Sequence, residues 1–472
     1  MQTKMTKGDN NLPLTELTAI STVDGRYRHL VAELAPYVSE YNLIRARLEV
    51  EAKYLVALSS VGLVRRFSKD EVQHITAFGP SLTLEKAQKV KDIEDKIQHD
   101  VKAMETVFRE DVKGTSLEDV AEMIHFGIAS EDINNLAYRL MLERATQAIM
   151  VPALDSITGQ LVEYASLYKK LPMLARTHGQ PAVPTTVGKE FVNFASRLNS
   201  QARGLQGRHL TGKLTGAVGN LNALQEVHPE IDWISFSISF VESLGLVPKL
   251  ATTQINPYED VIEYLQNYMR INGVIKDLDQ DIWRYISDKW FVQQVVGQEV
   301  GSSTMPQKVN PIRFENSEGN AIMANGILET MSDALGQSRL QRDLRDSTVI
   351  RNVGLALAFC LISYKNTRQG LARVKPSPEQ ILDDLNEDWA ILTEPAQIIL
   401  REAGVSDAYD LVKSLSRGIK IGKEEWKEWV AELPISDKVK VPLMSLTPEK
   451  YIGLAFKLTD RTIREIKSSR KK

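Results

Sequence analysis

This sequence of 472 residues has very little cysteine and no marked excess of either charge. Its single cysteine, Cys360, cannot form a disulfide within the chain, which is typical of proteins from reducing compartments. The 58 basic and 61 acidic residues leave a net charge of −3, so no charge excess favours nucleic acid or a membrane surface. We therefore expect a cytoplasmic protein that binds neither nucleic acid nor a membrane.

Long apolar runs and secretion signals are also missing. The apolar stretch around Cys360, residues 353–364, is too short to span a bilayer. Residues 1–13 contain no apolar core of the kind a secretory signal requires. The 43% of hydrophobic residues is ordinary for a soluble protein, and the length is sufficient for two or three domains.

Patterns for metals and nucleoside triphosphates are absent from the sequence as well. No Cys/His cluster or HExxH pattern suggests a metal site. The glycine-rich stretch TGAVGN, residues 215–220, lacks the Lys-hydroxyl ending of a P-loop, and no predicted strand precedes it. We expect no metal, no cofactor and no hydrolysis of nucleoside triphosphates.

Apolar residues at steps of three and four dominate the middle of the chain and predict long amphipathic helices over residues 154–167, 187–198 and 265–286. Alternating patterns typical of strands are scarce. Capping-box sequences begin shorter helices at Ser68 and Ser377. The prediction is an all-α chain with an N-terminal helical domain (1–118), a central long-helix bundle (119–371) and a C-terminal helical domain (372–472).

Among the seven histidines, His178 and His99 have the most informative surroundings. His178 lies in ARTHGQPAVP, a Gly/Pro-containing loop that could hold an imidazole for acid–base chemistry, although a structural role is equally compatible. His99 precedes Asp100, but neighbouring helical residues do not face each other, so this signal is weak. His125 is typical of a packing histidine.

The stretch GSSTMPQKVNP, residues 301–311, combines hydroxyl groups with an ammonium group. Asn310 and Pro311 predict an N-cap and a first helical residue. A helix N-terminus beside Ser302 and Lys308 would supply donors for a developing oxyanion. A polar loop between helices is the alternative.

Arginines and hydroxyls recur in QRDLRDSTVIRN, residues 341–352. Arg342, Arg345 and Arg351, beside the hydroxyls of Ser347 and Thr348, suit a phosphate monoester or a carboxylate. The alternative is a connector in which Asp343 and Asp346 neutralise the arginines locally.

These motifs occur together with DGRY, HDVKAM, ASEDINN, RTHGQP, GAVGN, TTQINP and FENSEGN, in one order from residue 24 to beyond residue 350. The combination resembles the adenylosuccinate lyase family of the fumarase/aspartase superfamily. The resemblance implies β-elimination of fumarate from adenylosuccinate and from the succinyl-aminoimidazole-carboxamide ribotide of purine biosynthesis. It also implies a homotetramer with a shared twenty-helix core and active sites built from three chains.

The resemblance further implies individual roles. Ser302 matches the general base and His178 the general acid; His99 would assist, and Lys308 would stabilise the serine alkoxide. The positions that match substrate contacts are Arg26, Tyr27, Gln98, Asp100, Ala129, Ser130, Gln254, Ser303, Val309, Asn310, Asn316, Arg342, Ser347, Thr348, Val349, Ile350 and Arg351.

Three positions depart from the family pattern. Gln307 replaces a histidine, Ala129 replaces a threonine, and Gln98 replaces an asparagine. Because the argininosuccinate lyase branch uses glutamine in this loop, that activity is the second enzymatic hypothesis. A non-catalytic protein on the same fold is the third, and the presence of both Ser302 and His178 argues against it.

Overall fold

The structure, a computed structural model, describes residues 12–297, 300–418 and 420–470, so most of the N-terminal stretch that lacks a signal pattern lies outside the described residues. The predicted helical class is confirmed. The α-helices are α1 Arg28–Val31, α2 Ala35–Val38, α3 Glu40–Ser60, α4 Lys69–Ala77, α5 Leu84–Ile97, α6 Asp100–Val112, α7 Ser130–Ala145, α8 Val151–Leu167, α9 Val187–Gln206, α10 Asn222–Val227, α11 Trp233–Ser243, α12 Glu259–Ser287, α13 Ile312–Leu335, α14 Arg345–Ile350, α15 Val353–Leu371, α16 Pro378–Asn386, α17 Thr393–Glu402, α18 Ala408–Ser416, α19 Lys423–Glu432, α20 Asp437–Ser445 and α21 Ala455–Ser469.

Short strands form three two-stranded sheets among the described residues. The strands are β1 Pro172–Thr177, β2 Gln180–Thr186, β3 Thr211–Gly212, β4 Val247–Pro248, β5 Phe291–Gln293 and β6 Val374–Pro376. β1–β2 and β5–β6 are antiparallel, and β3–β4 is parallel.

The chain packs as two compact units, each assembled from three separate stretches. The first unit contains Met1–Ala153, Gly204–Gly273 and Gly319–Ser363; the second contains Leu154–Arg203, Val274–Glu318 and Tyr364–Lys472. The three domains expected at 1–118, 119–371 and 372–472 follow sequence order instead and stay a prediction.

In the first unit, α3 packs against α7. The ring of Tyr54 on α3 makes edge contacts with Phe236 and Phe240, with centroids 6.1 and 5.7 Å apart. α3 also carries two buried charged side chains, Arg47 and Glu51. Because a buried charge is costly unless it is paired, these two side chains must have charged or polar partners.

In the second unit, the predicted apolar stripe of α9 is confirmed, since Val187, Phe191 and Leu198 are buried. The Phe191 ring stacks on that of Tyr164 with centroids 5.2 Å apart. The prediction was wrong at Leu167, which is 70% exposed. Leu167 is the last residue of α8, where the chain turns towards β1.

The hairpin β1–β2 was not expected from the sequence. His178 and Gly179 form its two-residue turn, with φ of 54° and 73°. Positive φ at both central residues matches the twist of a tight hairpin. β2 contains Pro181 and Pro184, and it can do so because every strand of a two-stranded sheet is an edge strand, where a missing N–H can be tolerated.

The capping predictions have mixed outcomes. Ser68 and Glu71 form the predicted capping box of α4. Ser377 occupies the N-cap of α16, and Pro378 is its first residue, but the predicted capping-box hydrogen bond is wrong because the serine side chain makes none there.

The helical segment around Cys360 is longer than its apolar run. In the described residues, Arg345–Leu371 is the one helical stretch long and apolar enough to cross a membrane, and 61% of its most apolar window is buried inside the protein. Core helices pass the same test, so it is weak grounds for a membrane span. The buried Cys360 thiol, which accepts a hydrogen bond from Asn272 at 3.3 Å, fits the predicted packing role.

Candidate active site

The loop of residues 300–310 in the second unit folds back on itself. A Cβ built on Gly301 would collide with the Lys308 carbonyl oxygen, so glycine is required there. The Asn310 amide donates a hydrogen bond to the Gly301 carbonyl oxygen and closes the loop. The Ser302 hydroxyl oxygen accepts hydrogen bonds from the backbone N–H groups of Thr304 (3.2 Å) and Met305 (3.0 Å). Donors in this arrangement would stabilise negative charge on that oxygen.

The predicted helix start is wrong by one residue. α13 begins at Ile312, and the Pro311 carbonyl accepts the first helical N–H, from Phe314, at 3.0 Å. Asn310 is therefore not the N-cap, because its side chain closes the loop instead. Asn316 lies one turn into α13 and is half-buried.

A cavity of about 230 Å³ adjoins this loop in the second unit. Lys308, Arg313 and Arg373 give it three cationic side chains, and none of its described lining residues carries a carboxylate. Such a lining favours an anionic ligand such as a carboxylate or a phosphate. The other lining residues are Gln293, Gln294, Val295, Val296, Val300, Gly301, Val309, Asn310, Ile312 and Gly370.

His178 belongs to the same unit and is exposed at the hairpin tip. Among the described residues, no hydrogen bond joins its imidazole to Ser302.

His99 in the first unit is the N-cap of α6. Its Nδ1 atom accepts a hydrogen bond from the Lys102 backbone N–H at 3.1 Å. In the neutral imidazole the proton is then on Nε2, because Nδ1 is the acceptor. The backbone of Lys102 therefore fixes the tautomer, and the adjacent Asp100 makes other contacts.

Asp100 joins two arginines. Its carboxylate accepts hydrogen bonds from Arg47 (2.7 Å) and Arg351 (3.0 Å). Burial alone would raise the pKa of Asp100, but the charge and hydrogen bond of Arg47 outweigh it and lower the pKa to about 2. Asp100 thus stays ionised and holds Arg351, which also lies 3.5 Å from Glu40.

Arg351 shares a cavity of about 200 Å³ with the DGRY segment. Asp24 and Arg28 line this cavity and lie 3.3 Å from each other. Arg26, between them in sequence, is exposed, and Tyr27 is half-buried. The structure thus brings the DGRY segment to the junction between the end of α14 and the start of α15.

Arg342 connects three predicted motifs in the first unit. Its guanidinium lies 3.0 Å from the Glu131 carboxylate and donates to the Gln254 Oε1 atom at 3.3 Å. Gln254 in turn donates to the Ala217 carbonyl oxygen at 3.1 Å. The connector alternative holds for Arg345, which pairs with Asp343 at 2.9 Å, and in part for Arg342, which lies 3.6 Å from Asp346.

Ser130 is the first residue of α7, and the buried Asp132 organises the chain around it. Asp132 accepts backbone hydrogen bonds from Ala129 (2.8 Å), Thr215 (3.0 Å) and Gly216 (3.2 Å). Its carboxylate also lies 3.0 Å from the Lys213 ammonium. The TGAVGN turn is thereby fixed to the N-terminus of α7. In that turn a Cβ on Gly219 would collide with the Thr252 carbonyl oxygen, which explains the glycine.

The three departures from the family pattern have physical consequences. Ala129 is the N-cap of α7 and has no side-chain acceptor for a helix N–H. Gln98 ends α5 in the left-handed region, with φ of 57°, where asparagine is favoured over glutamine. Gln307 is exposed.

The remaining predicted contacts differ in accessibility. Ser303, Thr348 and Val309 are exposed, whereas Ser130, Gln254, Ser347 and Val349 are half-buried. The Ile350 side chain is buried, so only its backbone can contact a ligand.

Sequence reasoning missed four charged residues, Arg47, Glu131, Asp132 and Lys213. All are buried. Arg47 gave no distinct signal, because the same helix also carries Arg45, Glu49 and Lys53. Glu131 and Asp132 lay inside a recognised motif, but acidic residues in a first helical turn are usual, which hid their role.

Comparison with known proteins defines the class of this scaffold. Residues 25–326 match the family model described as Lyase. The structure also superposes on a fumarate lyase from Mesorhizobium sp. BNC1 with a TM-score of 0.74 and 19% identity, covering 92% of this chain and 97% of that chain. At that identity the likeness shows the fold alone.

The family follows from closer matches. Residues 338–452 match the model described as Adenylosuccinate lyase C-terminal. The chain is 40% identical to the adenylosuccinate lyase of Haemophilus influenzae over 454 residues, covering 95% of this chain and 100% of the relative. It is also 40% identical to that of Escherichia coli strain K12 over 453 residues, with 95% and 99% covered. The chain belongs to the adenylosuccinate lyase family, which confirms the resemblance.

Proposed function

We propose that this chain is a lyase that releases fumarate from adenylosuccinate, giving AMP, and from succinyl-aminoimidazole-carboxamide ribotide, giving the carboxamide ribotide. Family membership supports the substrates. The observation that carries the chemistry is Ser302, whose oxygen is held by two backbone N–H groups beside a cavity with cationic lining.

In this proposal Ser302 acts as the general base. A serine hydroxyl is a poor base unless its alkoxide is stabilised, and the N–H groups of Thr304 and Met305 already point at its oxygen. Ser302 removes a proton from the carbon next to a substrate carboxylate, leaving an aci-carboxylate. Lys308 stabilises the added charge.

His178 is proposed as the general acid that protonates the departing amine as the C–N bond breaks. Its exposed position at a rigid two-residue turn leaves the imidazole accessible to substrate. His99 assists, with its Nε2 proton directed away from the α6 N-terminus. The reaction requires no metal or cofactor.

The anionic groups of the substrate are assigned to two sets of residues. Arg26, Tyr27, Arg342, Ser347 and Arg351 are proposed for the phosphate side. The succinyl and base side is assigned to Gln98, Asp100, Ala129, Ser130, Gln254, Ser303, Lys308, Val309, Asn310 and Asn316, with backbone contacts from Thr348, Val349 and Ile350.

The proposed assembly is a cytoplasmic homotetramer in which three chains contribute to each site around a twenty-helix core. The exposed position of His178 at the hairpin tip supports sharing, because it leaves the imidazole accessible to another chain.

Fumarate release by the purified protein tests the activity, with adenylosuccinate and argininosuccinate supplied in parallel. We expect release from adenylosuccinate alone. Release from argininosuccinate alone would favour argininosuccinate lyase activity, the alternative suggested by Gln307. Release from neither substrate would favour a non-catalytic protein.

Two substitutions test the acid and base. Ser302→Ala and His178→Ala should each lower kcat at least roughly a hundredfold. The exposed Ser200 and His209 lie outside the motifs, and Ser200→Ala and His209→Ala serve as matched controls that should keep wild-type rates. Near-normal kcat in either test variant removes that residue from its role.

Mixing the two inactive variants tests the shared site. After verified subunit exchange, Ser302→Ala and His178→Ala proteins should recover part of the activity, since some sites then combine both intact residues. No recovery contradicts sharing.

A further inference from the structure

Glu131 is a buried carboxylate that the proposed mechanism does not use. It is 3% exposed and follows Ser130 in the first turn of α7. One of its oxygens lies 3.2 Å from the Asn134 side-chain amide, which donates to it, and 3.0 Å from the Arg342 guanidinium. A carboxylate in such a place is costly without a charged partner, and Arg342 is that partner.

Arg342 has further hydrogen-bonding capacity. The guanidinium carries five N–H groups, of which the structure directs one at Glu131 and one at Gln254. The side chain is 16% exposed, so part of it remains accessible to a ligand. A second carboxylate, that of Asp346 in the first turn of α14, lies 3.6 Å away and competes for the same arginine.

We propose that Glu131 is a positioning residue that holds the Arg342 guanidinium, and through it the Gln254 amide, in the orientation that receives an anionic group of the substrate. This inference rests on the proposed function, which makes Arg342 and Gln254 substrate contacts. Glu131 is anchored in the backbone of α7 next to Ser130, so it sets Arg342 relative to that residue. Without Glu131, Asp346 would draw the flexible arginine towards itself.

The charges around Glu131 add a second readout. Burial raises the pKa of Glu131 to about 7, and the negative charge of Asp346 adds to this shift. The positive charges of Arg342 and Lys213 oppose it. Protonation below that pKa removes the charge that holds Arg342. The substrate KM should therefore rise as pH falls through about 7, and a variant without the carboxyl should lose this component.

The test is Glu131→Gln in the full-length enzyme, with adenylosuccinate as substrate and fumarate release as the assay. We expect KM to rise about tenfold, the equivalent of one charge-assisted hydrogen bond, while kcat changes less than about threefold. The matched control is Glu51→Gln, another buried carboxylate of the same unit, which contacts His125 and should keep the wild-type KM.

A double-variant cycle separates positioning from a general structural effect. Arg342→Gln should raise KM on its own, and Glu131→Gln/Arg342→Gln should raise it no further, because Glu131 then has nothing to position. A KM that rises by the full tenfold again in the double variant overturns the proposal.

The remaining outcomes are distinct. If the wild-type enzyme releases no fumarate from adenylosuccinate, the proposed function fails. If the wild type is active and Glu131→Gln keeps a normal KM, or a pH profile of KM like the wild type, the positioning role fails. Should Glu131→Gln not fold, Glu131→Asp takes its place, and a wild-type KM in that variant overturns the proposal.

Discussion

The buried pair of Asp132 and Lys213 allows a prediction of magnitude. Both side chains are 0% exposed, and Nζ lies 3.0 Å from a carboxylate oxygen. Lys213 also donates to the Gly216 carbonyl oxygen at 2.9 Å. In Asp132→Asn the ammonium would remain buried without its counter-charge.

Breaking a buried ion pair from one side costs about 3–5 kcal/mol, because the remaining charge is uncompensated. An unfolding entropy of about 2.1 cal/mol/K per residue gives a chain of 472 residues roughly 1 kcal/mol/K. We therefore expect the Tm of Asp132→Asn to fall by about 3–5 °C.

Circular dichroism melts at one fixed protein concentration measure this change, since assembly makes Tm depend on concentration. Asp132→Asn/Lys213→Met should melt above the single variant, because it removes the stranded ammonium. As a matched control, Asp119→Asn breaks the exposed pair with Arg65 and should lower Tm by less than about 1 °C. A double variant that melts no higher than Asp132→Asn refutes the reasoning.

Two further predictions concern the first unit. Ala129→Thr gives the N-cap of α7 a side-chain acceptor, and the other half of a capping box, the hydrogen bond from Ala129 N–H to Asp132, already exists. We therefore expect about 1 kcal/mol of stabilisation and a Tm higher by about 1 °C. An unchanged or lower Tm contradicts this prediction. Burial alone would lower the pKa of His125, but the hydrogen bond and charge of Glu51 raise it above its ordinary value. Its stabilising contribution is then fully present below about pH 6.5 and is lost as pH rises through the raised pKa, so the Tm difference between wild type and His125→Gln should shrink from about pH 6.5 upwards. A difference that grows over that range contradicts the assignment.

Local patterns in the sequence were sufficient for the helical class, the α9 stripe and the capping box at Ser68, because each depends on residues three or four positions apart. The order of motifs was sufficient for the family, which sequence comparison confirms. The proposed roles of Ser302 and His178 also came from the sequence, and they stay predictions.

Other features were decided only by the tertiary structure. Neither the His178 turn nor the missing side-chain cap at Ser377 could be read from local preferences, which also allow a loop and a full capping box. Asn310 matched an N-cap, but its amide bonds to a carbonyl nine residues earlier in the chain. Contacts such as Glu131–Arg342 and Asp132–Lys213 join residues far apart in sequence. An acidic residue at the start of a helix looks the same whether it faces water or a buried cation, and only the packing of the chain determines which of the two it meets.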